Sequence, residues 1–420
     1  MLPEVADSAS ARRYESVLVA ILFVTYGAVF LDRLTLLFLS PYIAAELHLS
    51  PQDIGYLAGA LAVTWAFSGV VFGAVSDRYG RKVVLVPAVL AFSLLSWLSG
   101  LAHTFTQLLL IRACMGLVEG PCWPIVNALA EQSSHPQRRA RNVAIVVSSA
   151  AVVGLAAAPV LTTQIAEHYG WRAAFFVAGV PGLLISIPLM LFVKEVRRDG
   201  SGGRYEHVPI ADYLALLKNR NVLLCCAGGA ALLSWNFLLN IFAPLYITQT
   251  LGYPGTVAGW VLGAAGLANV CFGYATTALA NRMGRKETLL LLAVPTALVP
   301  LAMIPAAMYD HLGLLMGFMF FVNGGQTITV LTLILIPTES VSPKFAATAI
   351  GLTTFCGEIV GATVVPAIFG AAAAQYGLVV AMYGSAASML VLFVCALFLK
   401  DTTPVLARSA TLDAGPAVAT

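Results

Sequence analysis

Charged side chains are scarce in this sequence. Asp, Glu, Lys and Arg make up 10% of its 420 residues, where a soluble domain carries about 25%. Hydrophobic residues reach 59%. Too few charges remain to cover a water-facing surface, which excludes a soluble globular protein and turns most of the chain toward lipid or other apolar helices. Ligand spacing is also missing. The seven cysteines (Cys114, Cys122, Cys225, Cys226, Cys271, Cys356 and Cys395) sit in apolar segments with no CxxC, which argues against disulfides and metal ligation. The six histidines lie mostly in loops, so neither a histidine relay nor a metal site is expected. No nucleophile–base constellation suggests an enzyme, and nothing points to a cofactor or to nucleic acid. A cleavable signal peptide is not expected either: Met1–Ser16 is mixed in charge and the first apolar run is too long for one.

What is present is a series of long apolar runs. A membrane-crossing helix needs about 20 mostly apolar residues. Twelve such runs can be drawn, near 17–42, 52–75, 83–102, 106–130, 142–166, 173–193, 221–247, 255–279, 287–308, 312–336, 346–374 and 378–399. The expected fold is an all-α membrane protein with six spans in 1–193, a cytoplasmic linker at 194–220, six more spans in 221–400 and a disordered tail at 401–420. The linker contains RRDGSGGR, a flexible composition. It continues as IADYLALLKN, which suits a short amphipathic helix on the membrane surface.

Basic residues set the orientation. With the N-terminus in the cytoplasm, all but three of the 23 Lys and Arg fall in inner segments. Arg172 lies in an outer loop, while Arg33 and Arg112 lie inside spans. That asymmetry is the positive-inside pattern, with both termini cytoplasmic. A repeat supports the count. SDRYGRKVVL (Ser76–Leu85) follows the second span and ANRMGRKETL (Ala280–Leu289) follows the eighth. Two unrelated basic loops would be the bland explanation. The shared RxGRK at equivalent positions favours a duplicated six-span unit, an architecture that binds substrate near the midplane between its halves.

GAVSDRYGRK (Gly73–Lys82) resembles the signature loop of the major facilitator superfamily, and the spans and linker extend the resemblance over the whole chain. The resemblance implies a cytoplasmic latch made by Gly73, Asp77, Arg78, Gly80, Arg81 and Lys82. Asn281 replaces the acid in the second copy, which implies a weaker latch there. RACMG (Arg112–Gly116) is similar to the superfamily's R-x-x-x-G pattern, often associated with proton coupling. The glycine–proline pattern of proton-driven drug exporters is missing from GLAAAPVLTT (Gly154–Thr163), which argues against export. LDR in the first span and GLVEGP (Gly116–Pro121) in the fourth resemble the anion–cation symporters, which include galactonate, hexuronate and aromatic-acid carriers and sialin. By that resemblance Asp32 and Glu119 are titrating carboxylates, Arg33 meets the substrate anion and Arg112 supports coupling. One departure stands out. Galactonate-type carriers place a glutamine midway along the fifth span, where this chain has SSAA (Ser148–Ala151), and Gln164 comes too late. That departure argues against the part of a sugar-acid site that reads hydroxyls.

Spacing places these charges. At about 1.5 Å per residue, Asp32 lies roughly 22 Å from the inner start of its span and Arg112 roughly 10 Å from the outer start of its own. In a core about 30 Å thick the two share a depth, which suggests an Asp32–Arg112 pair and leaves Arg33 facing a central cavity. Glu119 sits about 10 Å deeper than Arg112 on the same face. A substrate anion that neutralises Arg33 would make the carboxylates easier to protonate, and linkage makes the effect reciprocal. Charges inside a membrane are costly and default to function; a purely structural network is the alternative.

Other residues carry weaker signals. Glu358 could titrate or brace a helix contact, and Glu339 reads as a solvated loop charge. Asn236 and Asn240, one turn apart, and NGGQ (Asn323–Gln326) could bond substrate or join helices. Trp65 and Tyr56 are candidates for the cavity wall, although aromatics in spans more often serve packing. The expected function is proton-coupled import of a small organic anion across a bacterial inner membrane by a monomer. Anion exchange and proton-driven efflux are the alternatives on the same fold.

Overall fold

The computed structural model describes residues 9–194, 216–323, 325–342 and 345–402. Most of the expected surface helix and linker, and the tail beyond Thr402, lie outside the described residues. Among them, all regular structure is helical: α1 (Ala9–Leu47), α2 (Pro51–Tyr79), α3 (Arg81–Gly100), α4 (Phe105–Glu119), α5 (Cys122–Gln132), α6 (Arg139–Ser149), α7 (Ala158–Tyr169), α8 (Trp171–Phe192), α9 (Arg220–Leu245), α10 (Gly255–Met283), α11 (Arg285–Ala302), α12 (Leu312–Val322), α13 (Gly325–Val330), α14 (Ile336–Glu339), α15 (Ala346–Cys356), α16 (Val365–Tyr376) and α17 (Val379–Leu397). π-Helical stretches at Ala150–Ala157 and Gly357–Val364 join α6 to α7 and α15 to α16.

Ten helices among the described residues are long and apolar enough to cross a membrane, counting those continued through a π-helical stretch. The expected ninth and tenth runs are the two that fall short. α11 opens on Arg285, Lys286 and Glu287 and contains Pro295 and Pro300. The tenth run breaks at Asn323, whose backbone turns extended while its side-chain oxygen accepts the Gly325 N–H at 3.0 Å and its amide donates to Ala265 O at 2.8 Å. An amide that satisfies a broken backbone inside an apolar layer removes the penalty of an orphaned polar group.

Local chemistry explains where helices begin and end. Ser50 caps α2: its hydroxyl accepts from Asp53 N–H while the Asp53 carboxylate accepts from Ser50 N–H, a reciprocal box that satisfies two orphan donors. α3 and α11 are each entered through a glycine at φ 111°, Gly80 and Gly284, a conformation open to glycine and strained for other residues. The repeated loop is thus repeated in backbone conformation as well.

The first and second parts of the chain meet along two seams. α2 packs on Gly357–Val364 and α16, and α10 packs on Ala150–Ala157 and α7. A side chain at Gly55 would bring Cβ within 2.7 Å of Pro366 O, so α2 approaches at glycine distance. Small residues allow that close approach, and dispersion between the touching backbones holds it in lipid.

Glu339 is not a solvated charge. Arg285 Nη2 lies 2.9 Å from Glu339 Oε1, Arg285 Nη1 donates to Asn281 Oδ1 at 2.6 Å, and Thr402 donates to Glu339 Oε2 at 2.7 Å. Asn281, where the first copy has an acid, thus accepts from the arginine of its own loop. Glu339→Gln is expected to cost about 1–2 kcal/mol, the worth of a charge-assisted contact discounted for partial exposure, read as a lower melting temperature of the full chain.

In the first copy, Gly73 has room for a methyl, since a Cβ would meet Pro124 Cγ at 3.8 Å. Arg78 is exposed and lies over the Tyr79 ring, with its carbon 5.4 Å from the centroid. Arg81 and Lys82 open α3 and are half-buried, and the side chain of Asp77 lies outside the described residues.

Candidate functional site

α1 is apolar for most of its length, so its two adjacent charges stand out. Asp32 is 0% exposed and Arg33 4% exposed. Successive residues on a helix point about 100° apart, and the two side chains enter different environments.

Arg33 turns toward the second part of the chain. Its Nη2 lies 2.8 Å from Glu358 Oε2, and both side chains are buried. Three rings surround the guanidinium: its carbon lies 4.5 Å from the Trp65 centroid, 5.6 Å from Phe237 and 6.0 Å from Phe30. Arg33 Nε has no hydrogen-bond partner. The π-helical stretch that starts at Gly357 carries Glu358 inward, and the Thr363 hydroxyl occupies the Glu358 carbonyl at 3.0 Å.

Asp32 turns instead toward α3 and α4. Within its electrostatic reach lie Arg112, Glu119 and Ser96, and the Ser96 hydroxyl donates to Phe175 O at 3.0 Å. Neither Asp32 oxygen nor either Glu119 oxygen accepts a hydrogen bond. Glu119 is 0% exposed, and it interacts electrostatically with Asp32, Arg112 and Arg33. Arg112 Nη2 donates to Arg33 O at 2.8 Å and its Nη1 reaches Met115 Sδ at 3.3 Å. The Asp32–Arg112 ion pair anticipated from depth therefore does not form. Arg112 instead spends a donor on the Arg33 carbonyl in the middle of α1, one residue along from the Asp32 side chain.

A second expectation is also corrected. Arg33 does not simply face an open cavity; Glu358 holds it. The adjoining cavity, of about 230 Å³, is lined by Trp65, Gly120, Trp123, Thr354, Phe355 and Glu358 among others. Trp65 is one wall of this cavity. Tyr56 is not: it is 44% exposed, and its hydroxyl accepts from Gln52 at 2.7 Å. Asn240 is buried but donates to Asn236 O within its own helix at 2.8 Å, so it is committed to backbone. Asn323 serves the broken helix described above, and the Gln326 side chain lies outside the described residues. A larger recess of about 510 Å³, lined by Val152, Trp260, Met316 and Phe320 among others, holds none of the predicted residues.

Phe30 and Phe237 were missed as members of the site. Phe30 was legible, since it lies three positions before Arg33, one turn away on the same face. Phe237 sits in a uniformly apolar helix and carries no local signal.

The packing that holds Glu119 is written into GLVEG. α4 lies against α2 through Gly116 and Gly120, and the Ser68 hydroxyl donates across the contact to Gly116 O at 2.9 Å. The site contains two carboxylates around one guanidinium, beside a second guanidinium held by a third carboxylate. Such a cluster can exchange a buried charge for a proton.

The Major Facilitator Superfamily profile matches residues 22–363. The hexuronate transporter of Bacillus subtilis (strain 168) is 28% identical over 62% of this chain and 64% of its own length, so this chain spans just under two thirds of that relative. The cis,cis-muconate transport protein of Acinetobacter baylyi is 27% identical over 86% of this chain and 88% of its own. The D-galactonate transporter of Escherichia coli O6:H1 is 26% identical over 93% and 96%. Among solved structures, the bacterial homolog of the human lysosomal transporter Spinster, in an inward-facing and occupied conformation, superimposes with a TM-score of 0.72 at 19% identity, covering 97% of this chain and 99% of that one. At that identity the likeness concerns the fold.

Proposed function

The chain belongs to the Major Facilitator Superfamily, whose members matched here are transporters and not enzymes, and from that premise we propose that it imports a small organic anion together with protons. The observation that carries the proposal is Arg33: a buried guanidinium with a free Nε, ringed by three aromatic faces, whose neighbours Trp65 and Glu358 line a cavity. A planar carboxylate suits that setting, because a guanidinium offers its donors in one plane and its faces to rings. An unsaturated or aromatic acid fits better than a sugar acid, since among the described residues few free polar side chains remain to read hydroxyls. The relatives that carry hexuronate, D-galactonate and cis,cis-muconate in their names keep all three chemistries in view.

Asp32 and Glu119 supply the protons. With both ionised, Arg112 can neutralise only one of them, and an uncompensated charge buried away from water costs several kcal/mol. A proton removes that cost and leaves Asp32, Glu119 and Arg112 together without net charge. Basic residues on one side support twelve spans in two halves with both termini cytoplasmic. In that orientation the glycine seams of α2 with α16 and of α10 with α7 lie toward the outer face, which corresponds to an inward-facing state of alternating access.

The test is uptake of labelled benzoate, 4-hydroxybenzoate, cis,cis-muconate and D-galactonate into proteoliposomes under an inward proton gradient. At least one planar acid is expected to accumulate against its own gradient. Uptake indifferent to the gradient, but stimulated by acid preloaded inside, would make the chain an exchanger instead.

A further inference from the structure

The Arg33–Glu358 contact joins residues 325 positions apart, from α1 and from the stretch between α15 and α16, and its Glu358 end lines the cavity assigned to the substrate. Glu358 offers Arg33 the same chemical group that the cargo would bring. It also uses only one end of the guanidinium, since Nη2 bonds Glu358 while the buried Nε has no partner. A structural brace between a buried Arg and Glu is expected to be bidentate and fully satisfied. This one is neither.

We propose that Glu358 is a built-in carboxylate ligand that occupies Arg33 when no substrate is bound, and that the transported anion binds by displacing it. The inference rests on Arg33 being the anion site. Charge accounting gives the consequence. Arg33 with Glu358 is neutral; adding a monovalent anion to Arg33 leaves the released Glu358 as a buried negative charge. Glu358 lines the cavity, so it can take a proton there as the anion arrives and return to neutrality. No bond other than the O–H forms, and the same proton leaves when Glu358 reclaims Arg33. Glu119, which interacts electrostatically with Arg33, competes for this role. Tyr26 of α1 lies within electrostatic reach of Glu358. α2, α9, α15 and α16, which pack around the π-helical stretch, carry charged residues only at their ends or not at all. Glu358 also reports across the protein, because breaking its bond to Arg33 releases a tie between the first and second parts of the chain.

Affinity for the four acids named above, measured on the purified full chain by tryptophan fluorescence at pH 6 and pH 8, tests the idea. Glu358→Gln removes the competing charge and keeps the volume. It is expected to bind at least one acid about tenfold more tightly than wild type at pH 8, as when a competing state holds a site nine-tenths of the time, with the gap narrowing toward pH 6. Glu358→Asp, whose shorter arm retreats from Arg33, is expected to fall between them and guards against a Gln variant that misfolds. Equal affinities, or weaker binding together with a lower melting temperature, would make Glu358 a brace and overturn the inference alone. Failure of all four acids to bind any of the proteins would overturn the anion site itself, and with it the proposed function.

Discussion

Asp32→Asn abolishes proton-driven accumulation of the substrate while counterflow of labelled against unlabelled substrate persists. The substitution is nearly isosteric at a site with 0% exposure, and it breaks no hydrogen bond because neither Asp32 oxygen accepts one. It replaces an unpartnered buried carboxylate with a neutral amide, so the fold is expected to keep its melting temperature or gain slightly. What it removes is a charge that a proton can cancel. A one-unit pH gradient supports at least about tenfold accumulation in a proton-coupled importer, at 1.4 kcal/mol per decade. In the variant the ratio is expected to fall to about unity. Counterflow survives because it needs only the loaded carrier to reorient, and an amide mimics the protonated acid. Wild-type accumulation in the variant would reduce Asp32 to an electrostatic neighbour of Arg112 and leave Glu119 and Glu358 as the proton carriers.

Gly116→Val destabilises the protein by about 3 kcal/mol or more, the upper end for forcing atoms into a packed contact, and abolishes transport with it. A Cβ at Gly116 would collide with the Leu61 carbonyl and the Thr64 hydroxyl and come within 2.9 Å of Trp65 N. Two of those atoms are backbone, so no side chain can rotate away. α4 must then separate from α2, and Trp65, which lies over Arg33, moves with α2. Glu119, three residues along α4, is carried off as well. Gly73→Ala, on α2 itself, is the control: the new methyl meets only an ordinary contact at 3.8 Å, and alanine favours a helix over glycine by about 0.5–1 kcal/mol. Its melting temperature is expected to hold or rise. Comparable melting temperatures for Gly116→Val and wild type would show that the two helices do not depend on this seam.

Much of the site could be read along the chain. Asp32, Arg33, Arg112 and Glu119 announced themselves because charge inside an apolar run has few structural reasons to exist, and all four are buried. Glu358 drew notice for the same reason. The asparagines misled, because an amide in a membrane helix serves backbone as readily as substrate. Asn240 and Asn323 both bond carbonyls. Glu339 misled in the opposite direction: it stands near a helix end where charges are normally solvated, and only the approach of Arg285 from another helix pairs it.

By itself, the sequence determined the class of protein, the place of most spans and the repeated RxGRK loop. Each of these depends on composition or on neighbours within a turn or two, as at Gly80 and Gly284, where one residue type permits the backbone both loops adopt. Which charge meets which was decided only by tertiary structure. Depth arithmetic put Asp32 level with Arg112, but depth says nothing of azimuth, and Arg112 donates to a carbonyl instead. Arg33 found Glu358 from 325 residues away because a π-helical turn rotates that carboxylate toward α1. A long side chain reaches several partners with little difference in local energy, and the helices that happen to pack beside it choose among them.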